Sequence, residues 1–366
     1  MEKKLAVKYG IEPRHYEKAG NRKDVIAEWE DGFRTNGEEN TFEWWYFDSH
    51  LSDGTGLVII FYSKTVFDAQ GPLKPMVSFE LTTPDGKKIE QAVFAPADEF
   101  SSSNETCDVR VGDCTFRGNL KEYEIHFEKD DIVADIKLTG NIRAWRQGNS
   151  FNYFGDQEEK YFAWLPSVPE GNVEAEITID GVTKTLTGTG YHDHNWGNVN
   201  MAELIHHWYW GRARVGKYNL ITAHTYSEES YGYEPLITFM LAENNEIIIG
   251  DDDTYKYVTF TKEDEHIDEY TGKPVANKIV FDYNDGKKHY RVTYERKNDI
   301  AKHRMIDTLT GEAKEFASLV GFDGAYLRFN GQVTVDKLID GEIVETVTEP
   351  SAVWELMYFG KTMTNL

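Results

Sequence analysis

The sequence predicts an all-β chain built as two tandem antiparallel β-barrel domains, and three observations carry that prediction. Asp-Gly dipeptides recur at Asp53-Gly54, Asp85-Gly86, Asp180-Gly181, Asp285-Gly286, Asp323-Gly324 and Asp340-Gly341, and Asp-Gly supplies the positive φ angles of a two-residue hairpin turn. The runs between them alternate with period two: Tyr123, Ile125 and Phe127; Ala134, Ile136 and Leu138; Val173, Ala175, Ile177 and Ile179; Val333 and Val335. Each run puts its apolar side chains on one face of a strand. An internal repeat then accounts for the length of 366 residues, which exceeds what one core usually organises. Trp45-Tyr46-Phe47 and Phe61-Tyr62-Ser63 reappear as Trp208-Tyr209-Trp210 and Thr225-Tyr226-Ser227, at offsets of 163 and 164 residues. Ile179-Asp180-Gly181 and Trp196-Gly197 return as Ile339-Asp340-Gly341 and the span Trp354 to Gly360.

Taken in order, residues 1–40 read as a polar leader with weak helical tendency around Asp24 to Glu30, ending in the turn signals Asp31-Gly32 and Asn36-Gly37 and wrapping over the body. Residues 41–200 form the first barrel domain and residues 201–366 the second, with the boundary between Gly197 and His206. A barrel of roughly eight strands leaves room for one small apolar ligand. The linker Asn198–Glu203 is short and is expected to press the domains together, so a site at their junction is expected too.

Sixty-three acidic against 39 basic residues give a net charge of -24 and a pI near 4.9, which repels nucleic acid and anionic membrane surfaces. No window has the apolar length of a secretory signal or a membrane span, and the expectation is a cytoplasmic protein without a membrane anchor. Cys107 and Cys114 match neither a redox pair nor a zinc knuckle. They read as reduced structural thiols, with a disulfide across one hairpin left open.

Five of the eleven histidines lie between His192 and His224, interleaved with Trp and Tyr in Gly190-Tyr191-His192-Asp193-His194-Asn195-Trp196-Gly197 and in His206-His207-Trp208-Tyr209-Trp210-Gly211-Arg212. Groups that titrate near neutral pH are thus concentrated in one aromatic span. In the strand from Glu43, the residues Glu43, Trp45 and Phe47 share one face and Trp44, Tyr46 and Asp48 the other. An inward Glu43 would be a buried acid suited to proton donation, or else a partner to an arginine or a turn. His192 and His194 share a face opposite Asp193. A His-x-His pair completed by His206 or His207 could hold a metal, but no further ligand motif completes the set, and no metal is expected. Gly188-Thr189-Gly190 lacks the strand-to-helix context of a phosphate loop, and no Gly-x-Ser-x-Gly elbow is present. Aromatic walls with a few ionisable groups suit protonation of a hydrocarbon-rich substrate, the π faces of Trp44, Trp196, Trp208 or Trp210 sheltering positive charge. Tyr191, His207 and Tyr209, with Trp44 and Tyr46, complete the expected substrate-binding set.

The motifs Glu43-Trp44-Trp45-Tyr46, Gly188-x-Gly190-Tyr191-His192-Asp193-His194-Asn195-Trp196-Gly197, Trp208-Tyr209-Trp210-x-Arg212 and Trp354-Glu355-Leu356-Met357-Tyr358 resemble the lipocalin-like superfamily of carotenoid 1,2-hydratases (hydroxyneurosporene synthases) and AttH-domain proteins. Fungal decalin-forming Diels-Alderases are similar at a greater distance. The resemblance runs from about residue 40 to the C-terminus and implies two lipocalin-like barrels. It further implies cofactor-independent, acid-catalysed hydration of an isoprenoid double bond, with His194 and Trp196 at the positions proposed to take part. A Tyr-x-Asp pair is proposed to assist in those hydratases. Here the corresponding strand, Lys217 to Tyr226, has no acidic residue, and His224 and Tyr226 occupy its end. The expected activity is therefore a hydratase-type lyase acting on a C=C bond of a small hydrophobic, isoprenoid-like or polyketide-like molecule. A cyclase or pericyclase of the same family, or a non-catalytic carrier of an apolar ligand, are the alternatives.

Overall fold

A computed structural model describes residues 4–308, 314–315 and 322–362. The chain divides into two compact units, Lys8–Met201 and Ala202–Leu366 with Met1–Val7. In the first unit the strands are β1 (Val7–Tyr9), β2 (Phe42–Leu51), β3 (Gly56–Lys64), β4 (Met76–Thr82), β5 (Lys88–Phe94), β6 (Phe100–Ser102), β7 (Cys107–Val111), β8 (Cys114–Gly118), β9 (Glu122–Lys129), β10 (Ile132–Gly140), β11 (Phe151–Phe154), β12 (Lys160–Ile179) and β13 (Val182–Gly197). Their main ladder runs β5-β4-β3-β2-β13-β12-β10-β9-β8-β7-β6. The second unit contains β14 (Ile205–Val215), β15 (Tyr218–Ser227), β16 (Pro235–Glu243), β17 (Glu246–Ile249), β18 (Val258–Ile267), β19 (Pro274–Asn284), β20 (His289–Arg304), β21 (Ala325–Ile339) and β22 (Glu342–Tyr358). Their order is β17-β16-β15-β14-β22-β21-β20-β19-β18.

The two orders superimpose: β2 to β5 correspond to β14 to β17, β13 to β22, and β12, β10 and β9 to β21, β20 and β19. The fold is thus all-β, with two tandem lipocalin-like antiparallel sheets, one of them a half-barrel. Each sheet closes over its own core. In the first, Trp45, Phe47, Phe61, Phe79 and Phe116 are fully buried; in the second, Tyr294, Phe329, Trp354 and Leu356 play the same part, each such side chain contributing about 1.5–3 kcal/mol by leaving water.

The topology repeats, but the aromatic offset of 163 residues is out of phase. On β2 the inward residues are Glu43, Trp45 and Phe47, whereas on β14 they are His207, Tyr209 and Gly211, and Trp208 faces outward. An odd offset reverses strand faces, because side chains alternate with period two. Trp45 and Trp208 therefore match in sequence and not in role.

Five of the six Asp-Gly dipeptides join consecutive antiparallel strands. Asp180-Gly181 and Asp340-Gly341 form tight turns with positive φ at both residues. Asp323-Gly324 does not: the Gly324 carbonyl accepts the Met305 amide as the chain enters β21. The leader also differs from its reading. Its helix, α1 (Pro13–Ala19), starts on a proline and ends on Gly20 at φ 73, the usual punctuation of a short helix. The stretch around Asp24 to Glu30 yields only a 3-10 turn, Glu28–Asp31, which carries Glu30 and Asp31 into the core. The other helix, α2 (Met305–Thr308), is a single turn.

Two backbone irregularities prepare the interior of the first unit. The β12 ladder shifts register between Leu165 and Gly171, where Pro166 and Pro169 cannot donate to it, and the irregularity aims Ser167 inward. A Cβ on Gly190 would meet Val173 at 2.6 Å and the Asp48 carbonyl at 3.0 Å, so Gly188-Thr189-Gly190 is a site of close strand approach. Cys107 and Cys114 are both buried free thiols.

Candidate functional site

The alternation of β13 sorts its motif into two faces. His192, His194 and Trp196 point into the first unit, and Tyr191, Asp193 and Asn195 point out. Residues named from the sequence therefore fall into two separate sets.

The inward set is a closed network. His192 Nε2 lies 3.1 Å from Asp31 Oδ2 and its Nδ1 lies 2.9 Å from the Tyr46 carbonyl. His194 Nε2 lies 2.8 Å from Glu43 Oε1, while its Nδ1 faces the Glu30 carbonyl at 3.3 Å and Asp31 Oδ1 at 3.7 Å. Every nitrogen of the two rings thus faces an acceptor. Each ring must donate twice, as an imidazolium, or the opposing carboxyl must carry the proton. Asp31 also accepts from Tyr123 at 2.5 Å and Ser167 at 2.9 Å. Burial opposes its charge, but the charges and hydrogen bonds of His192, His194 and Tyr123 prevail and hold its carboxyl below the ordinary range. Glu43 accepts the backbone amides of Arg34 and Thr35 at 2.7 and 2.8 Å. Trp45 stacks on His194 at 4.7 Å, and Trp196 covers the same ring at 4.6 Å. Glu43, His192 and His194 are completely buried.

The outward set is built around a carboxylate. Tyr191 and the Trp164 indole both donate to Asp193 Oδ2 at 2.7 Å, and Asn195 donates to Oδ1 at 2.6 Å. Trp44, Tyr46 and Asp48 lie across the ladder from Asn195, Asp193 and Tyr191. Trp44, Tyr46 and Trp164 are half-buried, and Tyr46 donates to Asp48 at 3.0 Å. Burial pushes the Asp193 carboxyl up to about 6 against the pull of its three donors. Burial, then the neighbouring Asp193 charge, pushes the Tyr191 phenol well above its ordinary value. All three of these Asp193 partners are side chains.

The second unit divides in the same way. Inward, His207 is stacked between Tyr226 and Tyr358 at 4.7 Å each, and its Nδ1 lies 2.7 Å from that of His206. His224 stacks on Phe260 at 4.0 Å. Tyr209 is a buried phenol whose oxygen accepts the Ala276 backbone amide at 3.0 Å. Burial pushes His224 down to about 3, with Lys262 adding to the effect, and burial followed by His206 pushes His207 far down. Outward lie half-buried Trp208 and Trp210. Glu355 accepts from the Trp208 indole and the Tyr326 hydroxyl, each at 2.9 Å, and burial raises its carboxyl against those donors. Asp193 and Glu355 thus occupy corresponding strands, each held by one indole and one phenol.

Sequence reasoning missed Asp31, Tyr123, Trp164 and Glu355's bonding. Asp31 was legible only as a turn residue, and it meets His192 across 161 positions of chain. His192 and His194, weighed from the sequence as a metal pair, face Asp31 and Glu43 respectively. Asp31, Cys107 and His192 do bring potential ligand atoms within 4.8 Å of one another, but His192 and Asp31 bond each other there and the Cys107 thiol is pushed well above its ordinary value by burial. No helix among the described residues is long and apolar enough to cross a membrane.

Residues 35–324 match the family model described as Diels-Alderase-like. The quinolone epoxide rearrangement protein asqO of Emericella nidulans is 24% identical over 326 residues, covering 83% of this chain and 84% of the relative. Hydroxyneurosporene dehydrogenase of Chlorobaculum tepidum is 26% identical over 217 residues, 50% of this chain and 56% of that protein. Among solved structures, CghA with Sch210972 has the same fold, with a TM-score of 0.62 at 13% identity over 88% of this chain and 89% of that one.

Proposed function

The chain belongs to the Diels-Alderase-like family, and from that premise we propose that it is a cofactor-independent acid-base enzyme acting on a C=C bond of a hydrophobic substrate, with Asp193 as its acid. The observation that carries this reading is the Asp193 carboxyl itself. It is buried, pushed up to about 6, and set among Trp164, Tyr191 and the half-buried Trp44 and Tyr46. A carboxyl poised near the working pH is the best compromise between holding a proton and giving it up.

In a hydration, the acid form of Asp193 protonates one alkene carbon. The π electrons form the new C–H bond, and the adjacent carbon becomes cationic beside the Trp44 and Trp164 faces. Water then adds to the cation and its surplus proton returns to Asp193. The Tyr191, Trp164 and Asn195 donors stabilise the carboxylate in between. His192, His194, Glu43 and Asp31 act in this scheme as positioning residues that lock β13, with Trp196 packed on His194. His224, Tyr226, His207 and Tyr209 serve as the corresponding interior of the second unit.

A second reading, ring closure or rearrangement, is favoured by the family description and by the epoxide rearrangement relative. There the acid form of Asp193 would polarise a substrate oxygen by hydrogen bonding, with no water added. The test is turnover of a panel of apolar polyenes, carbonyl-bearing dienes and aryl epoxides, read by product mass. A product heavier by one water identifies hydration, and an isomer identifies closure or rearrangement. Asp193→Asn is expected to abolish either while substrate still binds, with partial recovery in Asp193→Glu. Wild-type turnover in Asp193→Asn would overturn the assignment, and binding without turnover across the panel would support the carrier reading.

A further inference from the structure

A cavity in the first unit lies on the other side of β13 from Asp193, against Trp196. Its volume is ≈ 280 Å³, and its walls are rings: Trp29, Phe151, Tyr153, Tyr161 and Trp196. The polar residues reaching it are Lys18, Asn21, Glu30 and Arg34. Glu30 is already neutralised from behind, since Arg146 Nε donates to it at 2.8 Å and Asn21 donates at 3.0 Å. The two cations are not matched in that way. Arg34 spends its Nε and Nη2 on the backbone carbonyls of Gly32 and Asn104 and lies over the Trp29 ring. Lys18 donates to the Glu158 carbonyl and lies over the Tyr153 ring. Among the described residues neither makes an ion pair with a carboxylate, in a chain that carries -24 overall.

We infer that this cavity is a binding site for a small aromatic acid, its ring between Trp29, Tyr161 and Trp196 and its carboxylate or phenolate on Arg34 and Lys18. At about 30 Å³ per water-sized group, the volume suits a single ring with a short side arm. Guanidinium is the preferred partner for such an anion, since its remaining N–H groups can form charge-assisted bonds. This site shares only Trp196 with the Asp193 scheme, where that ring packs on His194, so either can fail alone.

The experiment is calorimetric titration of the full chain with cinnamate, with cinnamamide as the neutral isostere and cinnamylammonium as the charge-reversed control. Cinnamate is expected to bind at least about tenfold more tightly than cinnamamide, the worth of one charge-assisted hydrogen bond, and cinnamylammonium not to bind. Arg34→Gln is expected to bring cinnamate down to the affinity of the amide while leaving the amide unchanged. Ala19→Phe, which fills the cavity, is expected to abolish both. Because Arg34 braces two carbonyls, Lys18→Gln carries the same charge test should Arg34→Gln not fold. Equal affinity for acid and amide, absence of saturable binding, or wild-type cinnamate affinity in the Ala19→Phe variant would each overturn the proposal.

Discussion

The cores of the two units differ most where their topology is most alike. On β13, between β2 and β12, the buried histidines His192 and His194 meet the carboxylates Asp31 and Glu43. In the second unit the buried histidines sit instead on β14 and β15, where His207 and His224 meet the rings of Tyr226, Tyr358 and Phe260. The first core sets its imidazoles against carboxyls, and the second sets them against rings, where burial lowers both His207 and His224. Outside both cores the units agree again, since each places a carboxyl, Asp193 or Glu355, under an indole and a phenol. A repeated scaffold thus keeps its outward device while its interior is free to diverge in charge.

The largest effect should come from breaking the ionic core. Asp31→Asn leaves His192 and His194 facing an uncharged partner, and removing one member of a buried pair typically costs about 3–5 kcal/mol. Denaturant unfolding should report that loss in the first unit. The same buried carboxylate is held below its ordinary value in the folded state, so its stabilisation is present above the unfolded value of 3.8 and is lost as pH falls through the folded value.

Acid should act on the second unit sooner and for the opposite reason. His224 is lowered from 6.5 to about 3, so the unfolded chain binds a proton there that the folded unit refuses. Stability should fall as pH drops from about 6.5 towards 3, by about 5 kcal/mol when the descent is complete. His224→Phe should remove most of that dependence. Unfolding followed at pH 7, 5 and 4 checks it, and a flat wild-type profile would break the comparison.

A smaller effect runs against intuition. Asp193 is raised from 3.8 to about 6, so the folded chain disfavours its charge, and the acid's contribution to stability is lost as pH rises through the folded value. Asp193→Asn should therefore be stabilising at pH 7–8, by on the order of 2–3 kcal/mol, while turnover disappears. The smallest change should be the same in both units. Gly181→Ala and Gly341→Ala each place a Cβ at positive φ in open space, and each should cost about 1 kcal/mol. Unequal costs would mean that the units differ in scaffold as well as in core.

Much of the scaffold was legible because it is local. Asp180-Gly181 and Asp340-Gly341 mark their turns in two letters, and alternation placed Glu43 opposite Trp44 before any partner was known. Strand direction was less legible. The repeat of Trp45 at Trp208 is real in sequence but one residue out of phase, because conserved ring identity and conserved facing are separate properties. Asp31 was hidden for a third reason: in an Asp-Gly pair it reads as a turn, and only the closed sheet brings it to His192 and His194. Asp193 drew no role from the sequence because the flanking histidines titrate near neutral pH and it does not; only its burial among Trp164, Tyr191 and Asn195 raises its carboxyl.

Asp193 can act only if it holds a proton near neutral pH while the histidines on either side of it stay in place. The most direct measurement is a carbon-13 titration of the Asp193 side-chain carboxyl by NMR in the intact chain. A midpoint near 6 that disappears in Asp193→Asn is the expected outcome. A midpoint at or below about 4, the ordinary range for aspartate, would leave no acid form to donate and would contradict it.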